Sequence, residues 1–176
     1  MVIFIIIFAL VTCILALWGI SNLIAILGGS PPVHTSDEIC EEILNVSGIS
    51  NKDTLVDLGS GSGNMVVCAS KKFKAKAIGY EISPYPYLTS KFRTMFMGSK
   101  TRINFASVFE AKLSEATIIY IYLLPKMLMS IFPKIKNEAK PGTIVITRGF
   151  PLPSWQPIKR VSVGTPKTKI FIYKIK

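Results

Sequence analysis

The pattern of apolar and charged positions divides the chain into two unequal parts. Residues 1–36 contain no Asp, Glu, Lys or Arg, and an apolar run extends from Val2 to Leu27. Only four residues interrupt this run: Thr12, Gly19, Ser21 and Asn22. As a helix it would be about 39 Å long at 1.5 Å per residue, which exceeds the ~30 Å hydrocarbon core of a bilayer. The pattern therefore predicts one transmembrane helix.

Two other interpretations of the apolar run fit less well. A cleaved signal peptide has a basic start and a shorter apolar core, and this run has neither. A buried helix of a soluble protein carries a polar stripe, which is missing here. The segment Gly28-Gly29-Ser30-Pro31-Pro32 is expected to end the helix. We therefore predict a membrane anchor over residues 1–29 and a second domain over residues 30–176.

Beyond residue 35, short apolar strands alternate with amphipathic helices, which indicates an α/β fold with parallel strands and right-handed crossovers. Helices are predicted at 36–46, 64–73, 87–97 and 125–139. Strands are predicted at 54–58, 76–82, 102–107, 116–123 and 143–147. The tail predicts a terminal hairpin with strands at 158–163 and 169–175, joined by a Gly-Thr-Pro turn. The expected sheet has seven strands and is mostly parallel, with the hairpin inserting an antiparallel strand.

The net charge of +11 is concentrated in the last third of the chain. Residues 37–125 hold 10 basic and 9 acidic side chains, whereas residues 126–176 hold 11 basic side chains and one acidic. A basic surface could meet anionic lipid headgroups, nucleic acid or an acidic protein, or it could simply be solvated. No RNA- or DNA-binding motif accompanies the charge, so nucleic acid is not favoured as a partner.

The cysteines and the single histidine do not indicate a metal site. Cys13, Cys40 and Cys68 lack the spacing of zinc ligands or of a disulfide framework. His34 stands alone in a proline-rich stretch. We therefore expect no structural or catalytic metal.

The candidate chemistry lies in a glycine-rich turn that follows the first predicted strand and opens a helix. The turn reads Asp57-Leu58-Gly59-Ser60-Gly61-Ser62-Gly63. A nicotinamide fingerprint would need glycine at Asn64, and a phosphate-binding loop would need a Gly-Lys-Ser/Thr sequence that is missing. The spacing D-x-G-x-G-x-G is that of Rossmann-like enzymes that use S-adenosylmethionine. Glycines let the chain turn tightly and let a ligand approach the backbone.

An acidic residue in the expected position supports this interpretation. Glu81 ends the second strand 18 residues after Gly63, where a carboxylate would accept hydrogen bonds from both ribose hydroxyls. Asp57 would lie near the ammonium group of the cofactor. Ser107 stands where such enzymes often carry an acid for the adenine amino group, and Val108 or Phe109 could pack on the ring. The predicted cofactor-binding residues are Asp57, Gly59, Ser60, Gly61, Gly63, Glu81, Ile82, Ser107 and Val108.

With these residues in view, the chain resembles a narrower family. The resembling segments are Pro31-Pro32-Val33-His34-Thr35, Val56-Asp57-Leu58-Gly59-Ser60-Gly61, Gly79-Tyr80-Glu81-Ile82-Ser83-Pro84, Tyr122-Leu123-Leu124-Pro125 and Arg148-Gly149-Phe150-Pro151-Leu152-Pro153-Ser154-Trp155-Gln156-Pro157. The family consists of membrane-anchored, seven-strand lysine methyltransferases, including those acting on the mitochondrial ATP synthase c-subunit and the adenine nucleotide translocase. It usually has Asp in place of Ser62 and a basic residue in place of Asn64.

The resemblance implies methylation of a lysine in a membrane-associated protein, with S-adenosyl-L-methionine as methyl donor. Tyr122, Pro125 and Trp155 are the candidate substrate-pocket residues. Strand-end packing would explain Tyr122 as well, a helix start would explain Pro125, and closure of one edge of the sheet would explain Trp155. Methylation of a small lipid-soluble molecule and a non-catalytic binding module remain open as alternatives. Charges beside the apolar run do not set its orientation. We expect a single-pass protein whose catalytic domain faces the cytosol, because S-adenosylmethionine is found there.

Overall fold

The computed structural model describes residues 1–27, 33–98 and 100–176. Its helices are α1 (Val2–Leu27), α2 (Asp37–Ser47), α3 (Asn64–Phe73), α4 (Pro84–Thr94) and α5 (Pro125–Glu138). Its strands are β1 (Thr54–Leu58), β2 (Lys76–Glu81), β3 (Thr101–Phe105), β4 (Ile118–Ile121), β5 (Ile144–Arg148), β6 (Lys159–Val163) and β7 (Thr168–Lys174). A short 3-10 helix covers Val108–Glu110.

The strands form one seven-stranded sheet in the order β3-β2-β1-β4-β5-β7-β6. Strands β1 to β5 are parallel to one another, and β7 lies between β5 and β6 and is antiparallel to both. The predicted mixed sheet with a terminal hairpin is therefore confirmed. Because β1 pairs with both β2 and β4, the strand order reverses at β1, and ligands of open α/β sheets bind at such a switch point.

Both faces of the sheet are covered, which explains why the central strands are almost continuously apolar. One apolar cluster contains the buried side chains of α5, among them Leu128 and Ile131, and the other contains those of α2 and α3, among them Ile43 and Val66. Helix α2 begins at the N-cap Ser36, whose hydroxyl accepts a hydrogen bond from the Ile39 amide, as its sequence predicts. The two layers hold the carboxyl ends of β1, β2 and β4 in fixed positions.

Helix α4 differs from its prediction. It begins at Pro84 rather than at residue 87, and it ends at Thr94 rather than at residue 97. Proline fits the first turn of a helix because the amide it lacks has no partner there, so Pro84 and Pro86 start this helix instead of preceding it. The first turn of α4 is thus placed directly after Glu81 at the end of β2.

Helix α1 has the predicted bounds and packs by its last turns against α4. Most of its side chains are exposed, whereas Ser21 and Ala25 are buried at the contact. By length and composition α1 could cross a membrane. The predicted helix-ending segment at 28–32, and with it the boundary between residues 29 and 30, lies outside the described residues.

Candidate functional site

A cavity of about 760 Å³ lies at the carboxyl ends of the parallel strands, a volume typical of small-molecule sites. Nine of the site residues predicted from the sequence line it: Asp57, Gly59, Ser60, Gly61, Glu81, Ile82, Ser107, Val108 and Tyr122. Segments far apart in sequence are thus brought together as predicted. Gly63, Pro125 and Trp155 are not among the described residues that line it.

The glycine turn forms the floor of the cavity beneath β1. The amides of Gly59 and Ser60 both donate to the Tyr80 carbonyl, at 3.0 and 2.9 Å, so the turn is bonded to the end of β2. Gly59 has φ of +83°, a backbone conformation that glycine adopts without steric cost. Gly79 allows the turn to approach β2, because a Cβ atom there would lie 2.6 Å from the Ser60 Oγ. The turn therefore needs glycine both within itself and on the neighbouring strand.

Gly63 lies at the end of the glycine turn that packs against α4, and it does not line the cavity. It is the N-cap of α3 with φ of +80°, and a Cβ atom there would lie 3.0 Å from the Cβ of Ser90. This glycine therefore allows the start of α3 to pack closely against α4. Its contact with a cofactor stays a prediction, and its observed role is to shape the turn.

Glu81 connects the glycine turn to α4. One carboxylate oxygen accepts the Gly61 amide at 2.8 Å, and the other accepts the Ser83 amide at 2.7 Å. The side chain is only 8% exposed and faces the cavity. Each carboxylate oxygen can accept a further hydrogen bond, so Glu81 is positioned to accept hydrogen bonds from two hydroxyl groups of a ligand.

Asp57 is a buried acid at the other end of the floor. Burial and, to a lesser extent, the nearby Glu81 carboxylate raise the pKa of Asp57 to about 8. Burial also raises the pKa of Tyr120, whose hydroxyl has no hydrogen-bond partner within the described residues. A cationic ligand group beside Asp57 would stabilise the ionised carboxylate. The pair thus provides an acid, which a cationic ligand would ionise, and a polar hydroxyl at the base of the cavity.

Ser107 caps the 3-10 helix at the far end of the cavity. Its hydroxyl accepts from the Phe109 amide at 3.3 Å, and its own amide donates to the Glu110 carboxylate at 2.8 Å. This capping box fixes the backbone and places Val108 and Phe109 along the cavity wall. Contact of Ser107 with an adenine group stays a prediction.

Tyr122 is held in place by a buried arginine that the sequence indicated only as part of a motif. The guanidinium carbon of Arg148 lies 4.4 Å from the centre of the Tyr122 ring. Its Nη1 donates to the Thr35 hydroxyl at 2.6 Å. Because a guanidinium above an aromatic face is electrostatically attracted to it, Arg148 sets the position of the ring at the cavity.

Trp155 packs within the fold rather than at the cavity. Its ring stacks on Tyr173 at 5.5 Å and contacts Phe132 at 5.7 Å between ring centroids. Pro125 occupies the first turn of α5, where proline is favoured. The predicted role of these two residues in substrate binding remains a prediction, and their observed contacts are structural.

Several cavity residues were missed by the sequence-based prediction, among them Asn64 and the end of α1. Asn64 donates to the Thr35 carbonyl at 2.6 Å and accepts from Arg93, whose guanidinium also reaches the Ser62 carbonyl. The guanidinium of Arg93 therefore lies beside Asn64, the position at which the resembling family usually has a basic residue. The last turns of α1 also line the cavity. The polar pair Ser21-Asn22, which interrupts the apolar run, is the sequence feature that could have predicted this contact.

The residues present fit S-adenosylmethionine. The Ser60 hydroxyl is buried without a partner among the described residues and lines the cavity, so a polar ligand atom would satisfy it. Asp57 suits an ammonium group, and Glu81 suits a pair of ribose hydroxyls. No cluster of three or more potential metal ligands is found in the ranges that the structure covers.

Comparisons with known proteins place this geometry in context. The family model described as ANTKMT methyltransferase domain matches residues 57–159. A protein-lysine N-methyltransferase of Saccharolobus islandicus is 29% identical over 150 residues, which cover 82% of this chain and 93% of that protein. The human lysine N-methyltransferase of the ATP synthase c-subunit is 30% identical over 108 residues, which are 60% of this chain and 46% of the human protein. The chain thus spans less than half of that human relative.

A solved structure is also similar. An RNA methyltransferase from Salinibacter ruber in complex with S-adenosyl-L-homocysteine superposes with a TM-score of 0.76 at 28% identity, covering 81% of this chain and 94% of that one. The family match begins at Asp57, includes the glycine turn and Glu81, and covers more than half of the chain. The predicted family resemblance is confirmed: this chain belongs to the ANTKMT methyltransferase domain family.

Proposed function

We propose that this chain is an S-adenosylmethionine-dependent methyltransferase that methylates a lysine side chain of a membrane-associated protein. The observation that carries the proposal is the position of Glu81, which is bonded to both the glycine turn and the start of α4 and faces the cavity. The names of the relatives in Saccharolobus islandicus and human support lysine as the acceptor.

The residues of the cavity supply positioning and charge. S-adenosylmethionine, when bound, supplies a methyl group on a positively charged sulfur. Glu81 would accept hydrogen bonds from the ribose. The glycine turn, which lacks side chains at its glycines, would let the methionine moiety approach the backbone closely, and Asp57 would pair with the ammonium group of that moiety. Methyl transfer is an in-line displacement, so alignment and exclusion of water account for most of the rate.

A lysine acceptor must lose its proton before it can attack, because its ordinary pKa is about 10.4. Transfer into a cavity that already holds a positive sulfonium disfavours the charged amine. The buried guanidinium of Arg148 behind Tyr122 adds a second positive charge on the acceptor side. The amine therefore releases its proton to solvent as it enters, and no catalytic histidine is needed.

The membrane association of the chain is part of the proposal. Helix α1 would span the bilayer once, with the catalytic domain in the cytosol, where the methyl donor is available. The excess of basic residues in 126–176 would be attracted to anionic headgroups. An anchor confines the domain near membrane proteins and raises their effective concentration.

The proposal is tested by labelling. The full chain is incubated with a membrane fraction and methyl-tritiated S-adenosylmethionine, and label is counted in protein, lipid extract and nucleic acid. Label in protein, released by hydrolysis as methyl-lysine, is expected. Label in the lipid extract would favour a small lipid-soluble acceptor, label in RNA would favour a nucleic-acid acceptor, and no label would indicate a binding module.

The matched control compares two acids. Glu81→Ala should reduce labelling to background, because hydrogen bonds to a charged group contribute about 1.5–3 kcal/mol each. Glu138→Ala, at an exposed position on α5, should label like the wild type. Equal labelling by Glu81→Ala and the wild type would contradict the proposed donor site.

A further inference from the structure

The last turns of α1 form part of the cavity. Among the described side chains of this helix, five line the cavity: Trp18, Ser21, Asn22, Ile24 and Ala25. Ser21 is 4% exposed and Ala25 is 8% exposed, whereas side chains before residue 17 face outward. The end of the apolar helix is therefore packed into the same cavity that contains Glu81 and the glycine turn.

A hydrogen bond joins α1 to the donor-binding elements. The Ser21 hydroxyl accepts from the amide of Tyr85, at 2.8 Å. Tyr85 lies in the first turn of α4, where amides have no partner within the helix. Two residues earlier, the Ser83 amide donates to Glu81. Ser21 thus contacts the same helix start that positions the ribose-binding carboxylate.

We infer that residues 18–25 of α1 form one wall of the binding site for S-adenosylmethionine, so that a helix long enough to cross the membrane also contributes to donor binding. The inference rests on the proposed function. The apolar members of this wall, Trp18, Ile24 and Ala25, would exclude water from the bound donor, and exclusion of water strengthens the electrostatic interactions inside the site.

The length of α1 places this wall at the edge of the bilayer. Twenty residues, from Val2 to Ser21, extend about 30 Å as a helix, which is the thickness of the hydrocarbon core. Trp18 then lies near the interface, where tryptophan is enriched. On α4, Tyr85, Leu88 and Phe92 are exposed apolar residues on one side of the helix, and they extend the apolar surface from the end of α1.

The experiment measures donor-site affinity in the full chain. The protein is reconstituted in lipid nanodiscs and titrated calorimetrically with S-adenosylhomocysteine. The wall variant is Trp18→Ala/Ile24→Ala. The control variant is Leu15→Ala/Leu23→Ala, which removes apolar side chains that are 61% and 56% exposed and do not line the cavity.

The wall variant should bind about tenfold more weakly than the wild type, a change that corresponds to about 1.4 kcal/mol, while the control variant binds within about twofold of it. Melting temperatures in the absence of ligand should be the same for both variants, which excludes a general loss of folding. Equal binding by the wall variant, the control variant and the wild type would overturn the inference alone. A wild-type chain that does not bind would overturn the proposed function as well.

Discussion

Single residues set the electrostatics of this site. Two acids lie on adjacent strands and have different surroundings: Glu81 accepts two backbone amides, whereas Asp57 is buried with a raised pKa. Such a difference lets one carboxylate bind neutral hydroxyls while the other responds to a cationic ligand. The ionisation of Asp57 is therefore expected to report on the state of the cavity.

The raised pKa of Asp57 predicts a pH-dependent stability. Between the unfolded value near pH 4 and about pH 8, the folded chain retains a proton that the unfolded chain has released. The free energy of unfolding should therefore fall as pH rises through this window, by up to about 1.4 kcal/mol per pH unit. Thermal unfolding of the donor-free chain in detergent, at pH 5 to 8, measures this slope.

Asp57→Asn is the control for that slope, because the amide does not titrate. The variant should gain stability relative to the wild type as pH rises toward 8. Parallel pH profiles for the two proteins would contradict the raised pKa. Donor binding should also become less dependent on pH in the variant, since a ligand ammonium can no longer release the proton from Asp57.

Gly79 gives a second prediction at this scale. In Gly79→Ala the new Cβ atom would lie 2.6 Å from the Ser60 Oγ and 2.7 Å from the Ile103 Cδ1. Such crowding typically costs about 1–3 kcal/mol, and it would displace the glycine turn. We expect weaker binding of S-adenosylhomocysteine by calorimetry.

The matched control is the same substitution in α1. A Cβ atom at Gly19 would meet nothing within 4 Å, and alanine favours helix. Gly19→Ala should therefore bind the ligand like the wild type. Unchanged binding by Gly79→Ala would show that the glycine turn tolerates displacement.

The sequence predicted the site residues whose roles are local. The spacing of the glycines and the acid at the end of the second strand predicted the floor of the cavity. The Arg148–Thr35 bond joins residues 113 positions apart, and the Asn64–Thr35 bond joins residues 29 apart. No local pattern predicts such pairs, because they depend on how the elements pack.

At the scale of elements, the prediction of strands and helices succeeded where apolar periodicity was long. Helix α5 begins at Pro125 as predicted, but the predicted bounds of α4 were wrong. The first strand and α3 have the predicted bounds. The observed start of α4 lies three residues before the predicted start, because a proline can begin a helix as well as precede one. The prediction for the segment after β5 was incomplete, because its prolines indicate neither a strand nor a helix.

Trp155 belongs to that segment, and its contacts predict a structural effect. Trp155→Ala removes the ring that stacks on Tyr173 and contacts Phe132. Full truncation of a buried tryptophan costs about 3–5 kcal/mol, and for this half-buried ring we expect about 2–3 kcal/mol. Chemical denaturation of the detergent-solubilised chain, followed by circular dichroism, measures the loss.

Kinetics distinguish this effect from substrate binding. Trp155→Phe should restore most of the stability, and its KM for the acceptor should equal that of the wild type at a temperature where both are folded. A raised KM with unchanged stability would instead assign Trp155 to the acceptor pocket, as the family resemblance implies.

For the whole molecule, the main prediction concerns insertion in the membrane. Leu10 and Ile14 are exposed on α1 and would face lipid near the middle of the bilayer. Arginine at the centre of a membrane helix costs about 2.5–3.5 kcal/mol on insertion scales. Leu10→Arg/Ile14→Arg should therefore release the chain from membranes during alkaline carbonate extraction.

Leu10→Ala/Ile14→Ala is the control and should stay in the membrane pellet, because alanine remains compatible with a membrane helix. Neither position lines the cavity, so donor binding in detergent should be similar in both variants. Retention of the double arginine variant in the pellet would mean that contacts other than α1 hold the chain at the membrane.

The packing of α1 against the start of α4 has a consequence for substrate choice. If the cavity is fixed at one distance from the hydrocarbon core, the enzyme selects acceptors by how far the lysine lies from the membrane. The amino acids around the lysine then matter less. Moving a lysine by one turn along a substrate helix would shift its amine by about 5.4 Å, enough to carry it past the cavity. Proteins with unrelated sequences could then share this enzyme, provided that each offers a lysine on the same plane.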